Sequence, residues 1–211
     1  MKSKAAILWD THTKWSVEEI ELDPPKAGEV LVQLAASGLC HSDEHLVTGD
    51  MVLDPAMAEA FGARQLPCIG GHEGAGVVAE VGPEVTSLRP GDHIVTSFIP
   101  ACGRCPSCAI GQQHLCDLGA FSLAGRQPTD FTARHHASDG TDLGLMCMLG
   151  TFGCIYGNAN PRRDIPRILD LYMNGRVLLD ELVTNVYALE DINQGYEDMR
   201  NGTNIRGMIV F

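Results

Sequence analysis

Short apolar stretches broken by turn residues dominate the first half of the chain. Residues 3–9 and 16–22 predict two strands, and Pro24-Pro25 with Gly28 marks the turn after them. The run Glu29-Val-Leu-Val-Gln-Leu-Ala-Ala-Ser predicts a strand over 29–37. Ser42 to Thr48 predicts a short helix, with Ser42 as its N-cap and Gly49 as its stop. Ala56 to Arg64 fits a helical insertion. Two further β-branched strands, 74–81 and 92–98, are separated by Gly82-Pro83 and Arg89-Pro90-Gly91-Asp92 turns. Short strands at this spacing predict a small β-barrel. Residues 100–150 carry little periodicity and read as long loops around a metal lobe.

The pattern changes in residues 153–211. Ile165, Ile168, Leu169, Tyr172 and Met173 fall at helical spacing behind Asp164, a potential cap, and Gly175 ends the helix. Leu182 to Leu189 predicts a strand. Leu189, Ile192, Tyr196 and Met199 line a second helix ended by Asn201-Gly202, and Ile205 to Phe211 predicts a closing strand. The expected fold is therefore mainly β with α.

Length and composition narrow this picture. At 211 residues the chain is one large domain or two small ones, and 45% hydrophobic with 20% charged residues is ordinary globular composition. With 23 glycines and 6% aromatics, the chain is suited to many tight turns. The formal charge of −12 repels phosphate backbones, so nucleic acid is not an expected partner. The apolar run Ala5 to Trp9 is too short for a signal-peptide core, and no run approaches the ~20 residues of a membrane span. The expected location is the cytoplasm, where clustered cysteines are metal ligands more often than disulfides.

Cys102, Cys105, Cys108 and Cys116 read C-x2-C-x2-C-x7-C. Four thiolates this close can close a tetrahedral shell around zinc, leaving no position for substrate, so the ion's role is structural. A ferredoxin-type cluster would place three residues before its last cysteine and a proline after it. Here the gap is seven and Asp117 follows. A cluster and disulfides remain the alternatives to zinc.

A second constellation joins Cys40-His41-Ser42-Asp43-Glu44-His45, at a strand-to-helix turn, to Gly70-Gly71-His72-Glu73-Gly74, just before a strand. Cysteine and histidine suit zinc, and the glycines allow close backbone approach. Taken singly, each residue has a plainer reading: a buried thiol, a satisfied histidine, a solvated glutamate.

With the four-cysteine lobe, these motifs resemble the zinc-containing medium-chain alcohol dehydrogenases. Gly70-Gly-His-Glu-Gly-Ala-Gly-Val-Val and the 102–116 spacing carry the resemblance. Phe98-Ile-Pro-Ala-Cys-Gly-Arg-Cys and Asn193-Gln-Gly-Tyr-Glu-Asp-Met look most like actinobacterial members that hold nicotinamide tightly. The resemblance implies a GroES-like, partly open β-barrel catalytic domain with a structural zinc lobe over 1–152, continued by the C-terminal part of the same domain over 153–211. It implies Cys40 and His72 as catalytic zinc ligands and Glu73 as a nearby carboxylate able to join them. It implies Ser42 as acceptor of the alcohol proton and His45 as its route to solvent. A small alcohol or aldehyde would be the substrate and NAD the hydride acceptor.

The family pattern breaks at Phe152-Gly153, where a nucleotide-binding domain should intervene. No G-x-G-x-x-G follows a strand and no Gly-Lys pair exists. The family's third catalytic ligand, a cysteine at the start of that segment, is absent. Cys68 or Cys154 could take its place, though each reads more simply as a buried thiol. The surface bared near Phe152, Cys154 and Ile155 is expected to favour self-association. His135-His136 is expected in a solvated polar loop. Asn201-Gly202-Thr203 matches a glycosylation acceptor but reads better as a turn. A non-catalytic zinc-binding module is the competing reading.

Overall fold

The computed structural model describes residues 1–52, 54, 56, 65–97, 99–121, 126–145 and 159–211. The insertion expected over 56–64, apart from Ala56, lies outside these residues. So do Phe98, Phe152, Cys154 and Ile155. Among the described residues, ten strands form a closed barrel and a five-stranded sheet. β1 (Lys2–Leu8), β2 (Ser16–Leu22), β7 (His135–His136), β8 (Asp142–Leu145) and β4 (Cys68–Ile69) close into a barrel. β6 (His93–Val95), β5 (Gly74–Val81), β3 (Val30–Gly38), β10 (Arg206–Val210) and β9 (Val183–Tyr187) form a five-stranded sheet in that order.

The barrel is thus a closed ring rather than a partly open one. It closes because β4 pairs with β1 on one side and with β8 on the other. β7 and β8 fall inside the stretch expected to be loop. At two and four residues they are too short to show a period.

β1 explains where the core sits. Side chains alternate across a strand, and here both faces are covered. Ala5 and Ile7 point to the barrel interior with Ile20, Ala137 and Leu143. Ala6 and Leu8 point to the larger core of Trp15, Leu39, Leu46, Cys68, Ile192, Tyr196, Met199 and Ile209. Ile7 and Leu8 are wholly buried, each contributing about 1.5–3 kcal/mol of transfer free energy. Cys68 belongs to this core, which favours its plainer reading.

Among the described residues, five α-helices accompany the strands: α1 (His41–Val47), α2 (Pro106–Ala109), α3 (Asp117–Phe121), α4 (Pro161–Met173) and α5 (Ile192–Arg200). Two caps fall elsewhere than expected. Cys40, not Ser42, is the N-cap of α1, and its side chain makes no capping bond. Ser42 instead turns toward Cys40 and His72. Helix α4 starts at Pro161 and is capped by Asn160. Asn160 Oδ1 accepts from the Arg163 amide, while Asp164 Oδ2 accepts from the Asn160 amide at 2.7 Å, a reciprocal cap. The apolar positions of α5 are buried as expected, but Ile168, Leu169 and Met173 of α4 are exposed.

His135 and His136 lie in strand β7, not in a solvated loop. His136 bridges Asp142 at 3.0 Å and Asp23 at 3.3 Å. Burial, with the neighbouring His136, pulls His135 down to about 4. No helix among the described residues is long and apolar enough to cross a membrane.

Candidate metal centres

The four cysteines of the lobe converge. Their sulfurs all lie within 4.8 Å of one another. Cys102 Sγ and Cys108 Sγ are 4.0 Å apart, close to the ~3.8 Å edge of a tetrahedron with zinc–sulfur bonds of about 2.3 Å. The backbone prepares the site locally. The Arg104 and Cys105 amides donate to Cys102 Sγ at 3.4 and 3.3 Å. The Cys108 amide donates to Cys105 Sγ at 3.4 Å, and the Cys102 amide to Cys116 Sγ at 3.3 Å.

Amides aimed at sulfur favour thiolate. Those of Arg104 and Cys105 hold Cys102 at about 6, while burial pushes Cys108 up to about 12. Gly103 takes φ +76°, and a Cβ there would lie 3.1 Å from Arg162 Nη1. The N-terminus of α4 therefore packs on the lobe. The donor set fits zinc in a closed site.

The second centre is assembled by the fold. Cys40 sits between β3 and α1, and His72 with Glu73 sits between β4 and β5. One ligand atom from each of Cys40, His72 and Glu73 lies within 4.8 Å of the other two. Ser42 Oγ, one residue into α1, is 3.1 Å from both Cys40 Sγ and His72 Nε2. Asp43, fully buried, places Oδ1 3.6 Å from His72 Nδ1 and accepts the Gly71 amide at 3.1 Å.

These contacts set the charge of the pair. Burial alone would lower His72, but Asp43 and Cys40 raise it to about 10. Burial alone would raise the Cys40 thiol, yet His72 and Ser42 hold it below its ordinary value. One thiolate, one imidazole and one carboxylate match the donors zinc accepts, a three-residue set of the kind found in catalytic rather than closed sites.

Glu73 reaches this centre across Gly38. A Cβ built at Gly38 would lie 2.3 Å from Glu73 Oε2, so the carboxylate occupies the space a side chain would need. Arg206, at the start of β10, donates from Nη1 to Glu73 Oε2 at 2.8 Å. His45 follows Ser42 by three residues, on the same side of α1. It is half-exposed, with Nδ1 3.4 Å from Asp50 Oδ2. The geometry thus joins Cys40, Ser42, His72 and Glu73, and leaves His45 at the solvent rim. Asp43 and Arg206 are the participants that sequence reading missed. Asp43 stood inside the motif as an unassigned acid. Arg206 has no local signal.

The alcohol dehydrogenase GroES-like domain family matches residues 26–152. The NDMA-dependent alcohol dehydrogenase of Amycolatopsis methanolica is 29% identical over 380 positions, spanning 100% of this chain and 99% of that relative. Set against 211 residues, those 380 positions leave at least 169 in which this chain has none. Alcohol dehydrogenase B of Mycobacterium tuberculosis is 49% identical over 152 residues, 72% of this chain but only 38% of the relative. The alcohol dehydrogenase zinc-binding domain protein from Burkholderia ambifaria superposes with a TM-score of 0.82 at 18% identity, covering 100% of this chain and 99% of that one. At that identity the likeness speaks for the fold alone. From the matched family and these relatives, the chain belongs to the alcohol dehydrogenases with a GroES-like domain and carries their catalytic domain.

Proposed function

We propose that this chain holds two zinc ions, one closed within Cys102, Cys105, Cys108 and Cys116 and one open at Cys40, His72 and Glu73. We further propose that the open site receives a small alcohol or aldehyde. The observation that carries the reading is the convergence of three different donors with a hydroxyl, Ser42 Oγ, 3.1 Å from two of them. Zinc bound there would act as a Lewis acid on an alcohol oxygen and lower its pKa.

The chain's own residues do the rest. Ser42 accepts the alcohol proton. His45, half-exposed and steadied by Asp50, hands it to water. Asp43 fixes the imidazole ring of His72, as outer partners of histidine ligands do. Residues 1–152 and 153–211 form one catalytic domain in this reading, with the cofactor domain missing between them.

NAD is the family's hydride acceptor, but the sequence carries no dinucleotide fingerprint. Without a held acceptor, orientation worth ~7–11 kcal/mol is lost, so isolated turnover is weak. The positions with no counterpart in this chain also favour a second reading, a zinc-binding module that keeps the fold and the closed ion only.

Elemental analysis with a nicotinamide titration decides between the readings. About two zincs per chain, with no saturable nicotinamide binding, is the expected outcome. A single zinc supports the module. Robust alcohol oxidation by the purified chain with added nicotinamide would contradict the lost-acceptor argument.

A further inference from the structure

The Glu73 carboxylate lies between the Cys40–His72 pair and the Arg206 guanidinium. One of its oxygens lies within the ligand group of Cys40 and His72. Its Oε2 also accepts from Arg206 Nη1 at 2.8 Å. The same guanidinium nitrogen donates to the Leu39 carbonyl at 3.2 Å, so Arg206 keeps an anchor at the rim even without Glu73. Register explains its place: β10 pairs with β3 through Met208 opposite Gly38, which sets Arg206 just beyond the end of β3.

The ion pair is only half-shielded, with side-chain exposures of 45% for Arg206 and 34% for Glu73. Pairs at such exposure are weak. A doubly charged ion held by the Cys40 thiolate and His72 can therefore draw the carboxylate away. Arg206 opposes this in two ways: it occupies an oxygen, and its own positive charge repels the incoming cation.

We propose that Arg206 is a positioning residue that sets the metal affinity of the Cys40–His72–Glu73 site by competing with the ion for the Glu73 carboxylate. This rests on Glu73 being a ligand.

The test uses cobalt(II) as the probe, titrated into the purified chain after the four-cysteine lobe has been filled with zinc. Visible absorption of the cobalt–thiolate site gives the affinity. R206Q should tighten the second site by about fivefold, the order expected for a half-exposed ion pair. R206K keeps the charge without the fork and should fall between R206Q and the wild type. In an E73Q background, R206Q should change little, because the shared carboxylate is gone.

Circular dichroism checks that each variant folds. A chain that takes up a second ion, with R206Q unchanged or weaker, overturns the competition alone. A wild-type chain that takes up no second ion removes the site itself and the competition with it.

Discussion

The two metal centres are built at different ranges along the chain. The lobe draws all four donors from Cys102 to Cys116; Cys102 and Cys105 receive amides from residues two or three positions away, and Cys116 receives the Cys102 amide from across the loop. It contains only a four-residue helix and short turns, and little apolar core. The second centre draws Cys40 from one segment and His72 with Glu73 from another, with Arg206 133 residues beyond Glu73. Here the sheet register and the core under α1 do the positioning. On the proposed reading the ion would supply the order in the lobe, whereas at the second centre the fold supplies the order and the ion would be a guest.

The sharpest way to break this contrast is a pair of cysteine substitutions. Cys105→Ser should cost the lobe its zinc and expose residues 100–118 to rapid amide exchange, because that loop has little apolar core of its own to hold it. Cys40→Ser should cost the other zinc and leave amide protection in β3, β5 and α1 near wild type. Hydrogen exchange with zinc counting reads both. A Cys40→Ser chain that unfolds widely would show that the second ion is structural too.

Acid and chelator give the next largest effect. In the metal-free chain His72 keeps its proton up to about pH 10 instead of its ordinary 6.5. An ion must displace that proton, so affinity rises with pH and falls as pH drops below that value. Each unit costs about tenfold, and going from about pH 8 to about pH 6 costs roughly a hundredfold. Cys108, pushed up to about 12, imposes the same sign on the lobe. The lobe offers an ion four sulfur ligands against one at the second site, and should outlast it. Zinc release followed with a colorimetric chelator should show one equivalent leaving before the other, and simultaneous release would erase the distinction.

The same difference in range explains what could be read in advance. The lobe is legible because its spacing is its geometry. Cys40, Ser42, His72 and Glu73 are legible as two motifs, but their meeting is set by the β3–β5 pairing, which no local pattern encodes. Arg206 is invisible for the same reason: it is one arginine at the start of a strand. Strands β7 and β8 escaped because a ladder of two to four residues has no period to detect. In α4 the helical stripe was legible, but its burial was not, since burial depends on a neighbour rather than on the helix. His135 and His136 looked solvated because polar residues surround them in sequence, whereas in the fold Asp23 and Asp142 close over His136.

The smallest expected effect separates the centres most cleanly. Gly38 is a glycine whose missing side chain leaves room for the Glu73 carboxylate, with Oε2 2.3 Å and the Glu73 Cβ 3.3 Å from where a Cβ would stand. Gly38→Ala collides mainly with the far end of a flexible side chain rather than with backbone, so the sheet should tolerate it. The carboxylate must move aside, and second-site affinity should fall by about a few-fold, less than the roughly 10–100-fold that losing a supporting partner outright commonly costs. The lobe should be untouched. With Glu73→Ala already in place, Gly38→Ala should add nothing, since no carboxylate remains to displace. If Gly38→Ala weakens the second site equally in both backgrounds, the loss comes from a disturbed β3 rather than from Glu73. The carboxylate would then be a bystander to the Cys40–His72 pair.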